Sequence, residues 1–455
     1  MPKVDIYQEI KASFYDEQLR SINPLRRWFH SNRYRIINSF VKSFYVTGAK
    51  IVDIGAGSCG WNKDNLPVYG IDCNEQLLLY GKTMGRLTDY KVADFLNNGF
   101  ADKTFNIAVA TEVLEHIEDV EAVVKEVCRI LDNRGVFIIS VPFDTRFSLW
   151  NILFSTQTFY RGNIRGDLYY KKQCGHLQHF SPDSLNELFR RCGFKIEVIF
   201  SVCGFSIFLV AHKGNCNGVI QKNYDDLTIV IPVKNEVDNI GNVIKELLYA
   251  DPNLNIIVSD DGSEDGTIDL VRGLQRNNKN IVLLDRRDKK VKGLTASVID
   301  AIGLVRTKYF IVMDGDGQHE PKYVDRIYNQ LKQNSKLSVA SRVSVPGWRW
   351  NRKFISKLGA FLGECVLFLK KKKWPYDILS GFFGIESDYW KKIVTARKQS
   401  FSLKGYKILF DFLKICDSGI DIENVYYVFN QRLLGASKLN WKIYIEYLKS
   451  LLRPR

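Results

Sequence analysis

Apolar runs that stop at acids and glycines recur along this chain, and they restrict its fold more than any other feature. Ile51-Val52-Asp53-Ile54-Gly55-Ala56-Gly57, Val68-Tyr69-Gly70-Ile71-Asp72, Ile256-Ile257-Val258-Ser259-Asp260-Asp261-Gly262 and Phe310-Ile311-Val312-Met313-Asp314-Gly315-Asp316 share this form. Short apolar runs bounded by turn residues read as buried strands. Between them lie stretches with helical spacing, such as Glu121 to Leu131. Strands alternating with helices predict an α/β fold with doubly wound parallel sheets, ligands meeting the carboxyl ends of the strands. At 455 residues the chain exceeds one ordinary core,. The alternation also restarts at Leu227, after the small polar stretch Lys213-Gly214-Asn215-Cys216-Asn217-Gly218. The expected division is residues 1–213, a linker 214–226, a second domain 227–440 and a basic aromatic tail 441–455.

The residues at the strand ends suggest chemistry. Gly55 and Gly57 permit a tight turn and close backbone approach to a ligand, and Asp72 can accept hydrogen bonds from both ribose hydroxyls. Asp260 or Asp261 can accept from a nucleobase N–H. Asp314 and Asp316, one residue apart, can turn toward one point. Gly315 and Gly317 leave room there, and Gln318 adds a neutral oxygen. Hard oxygen ligands of this kind suit Mg²⁺ or Mn²⁺ shared with substrate phosphates. Cys174, His176 and His179 have metal-like spacing but lack a fourth ligand, so the preferred reading places them in a lid over an acceptor. His116 is expected to cap or pack its helix start.

A net charge of +15 favours polyanionic partners, either an anionic membrane surface or phosphorylated substrates,. No recognition motif accompanies the charge, so nucleic acid is not an expected partner. The nine scattered cysteines form no Cys-x-x-Cys pair and suit a reducing compartment,. A polar start and the lack of eighteen consecutive apolar residues predict neither signal peptide nor transmembrane helix. Val198 to Ala211, broken at Cys203-Gly204, reads as a β-hairpin. Basic and apolar residues from Tyr7 to Tyr45 read as helices at a domain edge. Asn351 to Trp374 reads as an amphipathic helix ending in four lysines, suited to anionic lipid.

With "VDIGAGSCG", "YGIDCNEQ", "TEVLEHIED", "VCRILDNRG", "FIISVP" and "GHLQHFSPDSLNELFRRCGF" in this order, residues 7–213 resemble class I S-adenosylmethionine-dependent methyltransferases. The resemblance implies S-adenosylmethionine as cofactor. Asp53, Gly55 and Gly57 would line its methionine end, Asp72 would hold the ribose, and Asp94 with Phe95 would flank the adenine. No catalytic base is evident. "LDNRG" departs from the family's proline and paired glycines.

Residues 227–440 carry "IPVKNE", "DDGSEDGT", "MDGDGQHEP", "ASR", "YDILSGFF", "GYKILFD" and "RLLGASKL". They resemble family-two glycosyltransferases of the A-type nucleotide-diphospho-sugar fold, in the dolichyl/polyprenyl-phosphate mannosyltransferase branch. The resemblance implies a nucleotide-sugar donor, GDP-mannose-like or a UDP-hexose, and a polyprenyl or dolichyl phosphate acceptor. Pro232, Glu236 and Asp260 would meet the nucleoside. Asp314, Asp316 and Gln318 would hold metal and diphosphate. Arg342 and Arg352 would face phosphate, and Lys407, Arg432 and Lys438 would clamp donor or acceptor phosphate. Lys234 and Asp411 depart from the family's tyrosine and glutamate. Gln-x-x-Arg-Trp, typical of processive synthases, is absent. So is the Glu-Asp pair that often serves as base, which fits an acceptor already anionic at neutral pH. The expectation is a bifunctional enzyme, peripheral at the cytoplasmic face of a membrane, with a membrane-anchoring partner left open. A glycan hydroxyl acceptor, or one half acting as a binding module, stays open.

Overall fold

A computed structural model describes residues 7, 10–143, 159–164, 166, 177–214, 222–346, 348–403, 405, 407–429 and 441–452. Contacts divide the chain into two compact units, Met1–Asn217 and Gly218–Arg455.

In the first unit the seven-stranded sheet runs in the order β3-β2-β1-β4-β5-β7-β6. Its strands are β1 (Ile51–Ile54), β2 (Val68–Asp72), β3 (Asp89–Val92), β4 (Phe105–Thr111), β5 (Leu131–Pro142), β6 (Phe194–Val202) and β7 (Ser206–Lys213). The first five pair in parallel, with helices Glu75–Thr83 and Val120–Ile130 carrying the connections from β2 to β3 and from β4 to β5. The hairpin expected at 198–211 is β6–β7, turned at Cys203 and Gly204, both with positive φ. Because β7 also pairs antiparallel with β5, the sheet is mixed rather than parallel.

Helix α1 (Phe14–Leu19) and α2 (Pro24–Phe44) precede the sheet. Asn23 caps α2, accepting from the Leu25 and Arg26 N–H groups,. The half of α2 from Arg33 to Ser43 is buried apart from Arg35, so it covers the sheet. Helices α3 (Glu75–Thr83), α4 (Val120–Ile130) and α5 (Pro182–Arg191) complete the unit. The third strand ends at Val92, earlier than the expected Lys91–Phe95. The Asp94 carboxylate accepts from Leu96 N–H and starts a single 3₁₀ turn there. His116 ends a second 3₁₀ turn, Leu114–His116, and stands ahead of α4, which Asp119 caps.

The second unit repeats the scheme, in the order β10-β9-β8-β11-β13-β12-β14. These are β8 (Leu227–Val233), β9 (Asn255–Asp260), β10 (Ile281–Asp285), β11 (Tyr309–Val312), β12 (Leu337–Ser344), β13 (Phe383–Glu386) and β14 (Ile422–Val428). Only β13 runs antiparallel, to both β11 and β12. Its helices are α6 (Val237–Ala250), α7 (Thr267–Asn277), α8 (Leu294–Ile302), α9 (Val324–Lys332), α10 (Trp350–Leu369), α11 (Ser387–Arg397), α12 (Ile408–Ile415) and α13 (Trp441–Leu452). Two apolar clusters sandwich the sheet, one built on Phe310, Trp390 and Phe412, the other on Ile231, Ile311 and Tyr427.

Two sequence expectations change here. The amphipathic helix stops at Leu369, so Lys371 to Lys373 follow it rather than end it. The stretch read as a basic tail holds a helix, α13, built into the unit. Tyr447 donates to the Gly359 carbonyl of α10 at 2.8 Å. Ser450 donates to Asp411 of α12 at 2.5 Å, and Lys414 bonds the same residue pair. Asp411 therefore works inside the core as the anchor of α13. Asp411 is 2% exposed there, as a buried carboxylate with these partners can be.

Candidate functional site

In each sheet the order of the parallel strands switches direction at the centre, between β1 and β4 and between β8 and β11. In open α/β sheets such switch points leave a crevice at the carboxyl ends of the strands.

At the first crevice, Gly55 and Gly57 have φ of +61° and +48°. A Cβ on Gly55 would stand 2.5 Å from the Val113 side chain, so glycine is required twice over,. The loop folds back on β2, with the Gly55 N–H donating to the Ile71 carbonyl at 2.8 Å. Asp72 receives Gly57 N–H and the Tyr7 hydroxyl on one oxygen and Asn74 N–H on the other, each at 2.8 Å. Burial raises its pKa above the usual carboxylate range,. Asp53 lies deeper, accepting from Trp61 Nε1 at 2.8 Å, and burial pushes it up to about 7. It braces the loop from beneath. Asp94 is exposed as the cap of its turn, and Phe95 is packed into the apolar core. The glycine cradle and the Asp72 carboxylate fit a nucleoside with vicinal hydroxyls; the Phe95 ring is committed to the core.

The chain itself supplies groups that local motifs do not show. Tyr7 comes from 65 residues away, and Tyr15 lies 3.3 Å from where a Gly57 Cβ would stand. Glu112 follows β4 with φ of +54°, paired to Arg33 of α2 at 3.3 Å and bonded by Ser140 Oγ at 3.1 Å. Strained, buried charges of this kind cluster at functional crevices.

At the second crevice the turns after β8 and β9 clasp each other. Asn235 N–H donates to Ser263 Oγ at 2.7 Å, Glu236 N–H to Thr267 Oγ1 at 3.0 Å, and Val237 N–H to Asp265 at 3.1 Å. The Glu236 and Val237 bonds satisfy two of the free N-terminal amides of α6,. Glu236 accepts from Asn239 within α6, and Pro232 lies buried in β8. The adjacent acids have separate tasks. Asp261 is spent within the protein, accepting from Arg286 on one oxygen and from Gly293 N–H at 2.7 Å on the other. Asp260 is fully buried; its Oδ1 holds Gly262 and Ser263 N–H groups, and its Oδ2 has no hydrogen-bond partner. A buried unpaired acceptor calls for a donor, and a nucleobase N–H would be one of the right kind.

After β11 come Asp314, 35% exposed, and Asp316, 5% exposed. Gly315 carries no Cβ because one would stand 2.7 Å from Val233 Cγ1 of β8. Gln318 N–H donates to Asp316 at 3.0 Å. No cluster of three or more His, Cys, Asp or Glu groups able to hold a metal occurs among the described residues. Two carboxylates with room beside them nonetheless fit a hard divalent ion that takes its remaining oxygens from a diphosphate. Across from them stand cations. Arg342 grips Asp377 through Nε at 2.5 Å and Nη2 at 3.0 Å, with its guanidinium 5.8 Å from the Trp348 ring. Lys407 Nζ donates to the Leu379 carbonyl at 2.6 Å. Arg352, at the start of α10, stacks over the same indole, 4.0 Å from its ring centre. Arg432 and Lys438 lie outside the described residues, as do Cys174 and His176 of the lid reading.

Burial and the neighbouring Arg342 charge push the Lys407 amine down to about 7,. A lowered base binds fewer protons in the folded than in the unfolded chain between pH 7 and its ordinary value near 10.5. Stability contributed through this residue therefore rises with pH across that window,. A phosphate beside it would reverse the shift, so binding of the acceptor phosphate at pH 8.5 is expected to take up roughly one proton. Calorimetry in buffers of different ionisation heat reads that uptake, and Lys407→Met removes it.

Comparison with known proteins divides the chain at the same place. Residues 29–199 match the family model described as Methyltransferase domain, and residues 228–390 match Glycosyl transferase family 2. A dolichol-phosphate mannosyltransferase of Pyrococcus furiosus is 30% identical over 233 residues, covering 50% of this chain and 63% of that protein. A polyprenol monophosphomannose synthase of Mycolicibacterium smegmatis is 29% identical over 221 residues, covering 47% and 80%. A solved S-adenosylmethionine-dependent methyltransferase of Methanosarcina mazei overlaps 38% of this chain and 97% of its own, at a TM-score of 0.29 and 20% identity. With two α/β sheets, each reversing at a crevice lined by the expected motifs, the chain joins a methyltransferase domain to a family 2 glycosyl transferase domain.

Proposed function

We propose that the second unit transfers a sugar from a nucleotide-diphospho-sugar to a polyprenyl or dolichyl phosphate, with inversion at the anomeric carbon. The first unit, in this reading, transfers a methyl group from S-adenosylmethionine to an acceptor of the same pathway. The observation that carries the first half of the proposal is the facing arrangement at one sheet edge: Asp314 and Asp316 on one side, Arg342 and Lys407 on the other. Asp260 Oδ2 would take the base N–H, and Asp314 with Asp316 would hold Mg²⁺ or Mn²⁺, Gln318 assisting. That ion supplies charge neutralisation for the leaving diphosphate. Arg342 and Lys407 orient the acceptor phosphate. Arg342 must exchange part of its hold on Asp377 for the phosphate, a change of partner that its forked guanidinium permits. The phosphate oxygen attacks the anomeric carbon as the bond to the diphosphate breaks, and no proton has to be removed first. A panel of nucleotide sugars tested for Mn²⁺- and Mg²⁺-dependent turnover names the donor; no turnover with any of them contradicts the reading.

In the first unit Asp72 would hold the ribose. S-adenosylmethionine supplies the electrophilic methyl group, and the protein contributes position. Asp72 Oδ2 already accepts twice, from Gly57 and Tyr7. An incoming ribose hydroxyl would compete with the Tyr7 hydroxyl for this carboxylate. Tyr7→Phe is expected to tighten S-adenosylmethionine binding about fivefold, on the order of one hydrogen bond's net worth; calorimetric titration measures it.

A lipid acceptor has to be reached at a membrane. Helix α10 exposes Trp350, Phe354, Ile355, Leu358, Phe361, Phe368 and Leu369, with Phe368 71% and Leu369 79% exposed. Lys353, Lys357 and the lysines after Leu369 border this stripe. No described helix is long and apolar enough to cross a membrane. We read α10 as lying in the interface at the cytoplasmic face. The described cysteines are free thiols, which suits a reducing compartment,. Burying a phenylalanine is worth about 1.5–3 kcal/mol. Phe354→Glu with Phe361→Glu is thus expected to weaken sedimentation with anionic vesicles at least tenfold.

A further inference from the structure

The carboxylate turn after β11 depends on a side chain that no motif reading assigned. His319 is 3% exposed, stacked on Phe382 with ring centres 4.9 Å apart, and flanked edge-on by Phe429 at 5.8 Å and Tyr427 at 6.4 Å. From this aromatic box its Nδ1 reaches back and accepts the Asp314 N–H at 2.9 Å. Accepting at Nδ1 places the ring proton on Nε2, which fixes the tautomer. The same Nδ1 lies 3.6 Å from an Asp314 carboxylate oxygen.

The geometry of the turn has two clasps. Asp316 accepts from Gln318 N–H, and His319 accepts from Asp314 N–H. Gly317, with φ of +75°, turns the chain between them. The first clasp orders Asp316. Asp314, more exposed, has its backbone fixed by the second. Without the imidazole, the Asp314 amide would need another acceptor at the sheet edge, and its side chain would be free to swing from its neighbour. An alanine would also empty a box of three rings, whereas a ring stacked only for packing would not need a nitrogen at that point.

We propose that His319 is the positioning residue of the metal and diphosphate site: its Nδ1 holds the Asp314 backbone so that both carboxylates face the same ion. This rests on the reading of Asp314 and Asp316 as metal ligands. The role is narrow enough to separate isosteres. The Oδ1 of asparagine can stand where imidazole Nδ1 stands, while a glutamine carries its oxygen one carbon further out. Both are neutral, polar and smaller than the cavity.

The test uses the full chain and the variants His319→Asn, His319→Gln and His319→Ala, compared at equal folded fraction by thermal melting. Two readouts are taken. Hydrogen exchange of the peptide covering 310–320 reports the Asp314 amide. Titration with Mn²⁺, in the presence of a nucleoside diphosphate, reports the ion. The expected result is that His319→Asn keeps amide protection and Mn²⁺ affinity within about threefold of the native chain. His319→Gln and His319→Ala lose protection and bind Mn²⁺ about tenfold more weakly. If His319→Asn behaves like His319→Gln, or if all variants match the native chain, the positioning role is overturned. A native chain that takes up no more Mn²⁺ than Asp314→Asn/Asp316→Asn overturns the metal reading instead. The exchange result then judges the hold of His319 on the turn alone.

Discussion

Asp316→Asn is expected to lower sugar transfer at least a thousandfold while leaving methyl transfer unchanged. The residue is 5% exposed, and one of its oxygens already receives Gln318 N–H. Asparagine retains the shape and that one bond, so the turn survives. What disappears is a negative charge beside the proposed ion. A bound divalent ion is worth several kcal/mol of charge stabilisation on a leaving diphosphate, and each 1.36 kcal/mol is tenfold in rate. Asp314→Asn is expected to follow the same direction, less steeply because that carboxylate is more open to solvent. Methyl transfer is the internal control, since it depends on a different unit of the chain. Equal loss of both activities would mean either that the variant unfolds or that the sites are not independent.

Asp72→Ala is expected to raise the dissociation constant for S-adenosylmethionine about a hundredfold. The carboxylate holds Gly57 N–H and Asn74 N–H in the folded loop, so its removal loosens the glycine cradle and takes away the ribose acceptor together. Two hydrogen bonds to a charged group, at about 1.5 kcal/mol each, give that factor. Asp72→Asn separates the two effects: it retains one acceptor oxygen and is expected to fall between the native chain and the alanine variant. Sugar transfer should be unaffected by either. Isothermal titration with the cofactor, beside the donor assay, checks both statements. Unchanged cofactor affinity would contradict the assignment of Asp72.

How far the sequence reached depends on how local the signal was. Gly55 and Gly57 stand out because a strand runs straight into a glycine turn, and Asp72 because an acid ends the next strand, 15 residues after Gly57. The same holds for Asp314, Gly315 and Asp316. Family resemblance added Arg342 and Lys407, which local pattern alone leaves as surface charges. What could not be read was pairing across distance. Asp260 and Asp261 are indistinguishable in sequence; Arg286, 25 residues later, takes Asp261 and leaves Asp260 with an open oxygen. Asp377 sits inside the quoted "YDILSGFF" stretch, yet its value lies in meeting Arg342, 35 residues earlier. His319 was in view beside the acids, but only the fold brings Phe382, Tyr427 and Phe429 around it. Tyr7 and Glu112 were missed for the same reason. Phe95 is legible only as an aromatic next to a strand end, which looks the same in sequence whether it faces a ligand or a core.

The fold itself was legible in its alternation, and the antiparallel strands were the part that periodicity hides. A buried strand of either direction is an apolar run. Only the Cys203-Gly204 break, which marked a hairpin, betrayed one of them. The tail helix α13 was obscured because its anchors, Asp411 and the Gly359 carbonyl, belong to other helices.

The most direct test of the central claim supplies the full chain with the donor identified from the panel, its sugar labelled, in detergent with Mn²⁺ and polyprenyl phosphate. Label is then followed into the organic phase. Organic-soluble, lipid-linked sugar is expected, appearing only with the lipid phosphate and disappearing with Asp316→Asn. Donor turnover indifferent to the lipid phosphate, with label on a soluble glycan hydroxyl, would contradict it.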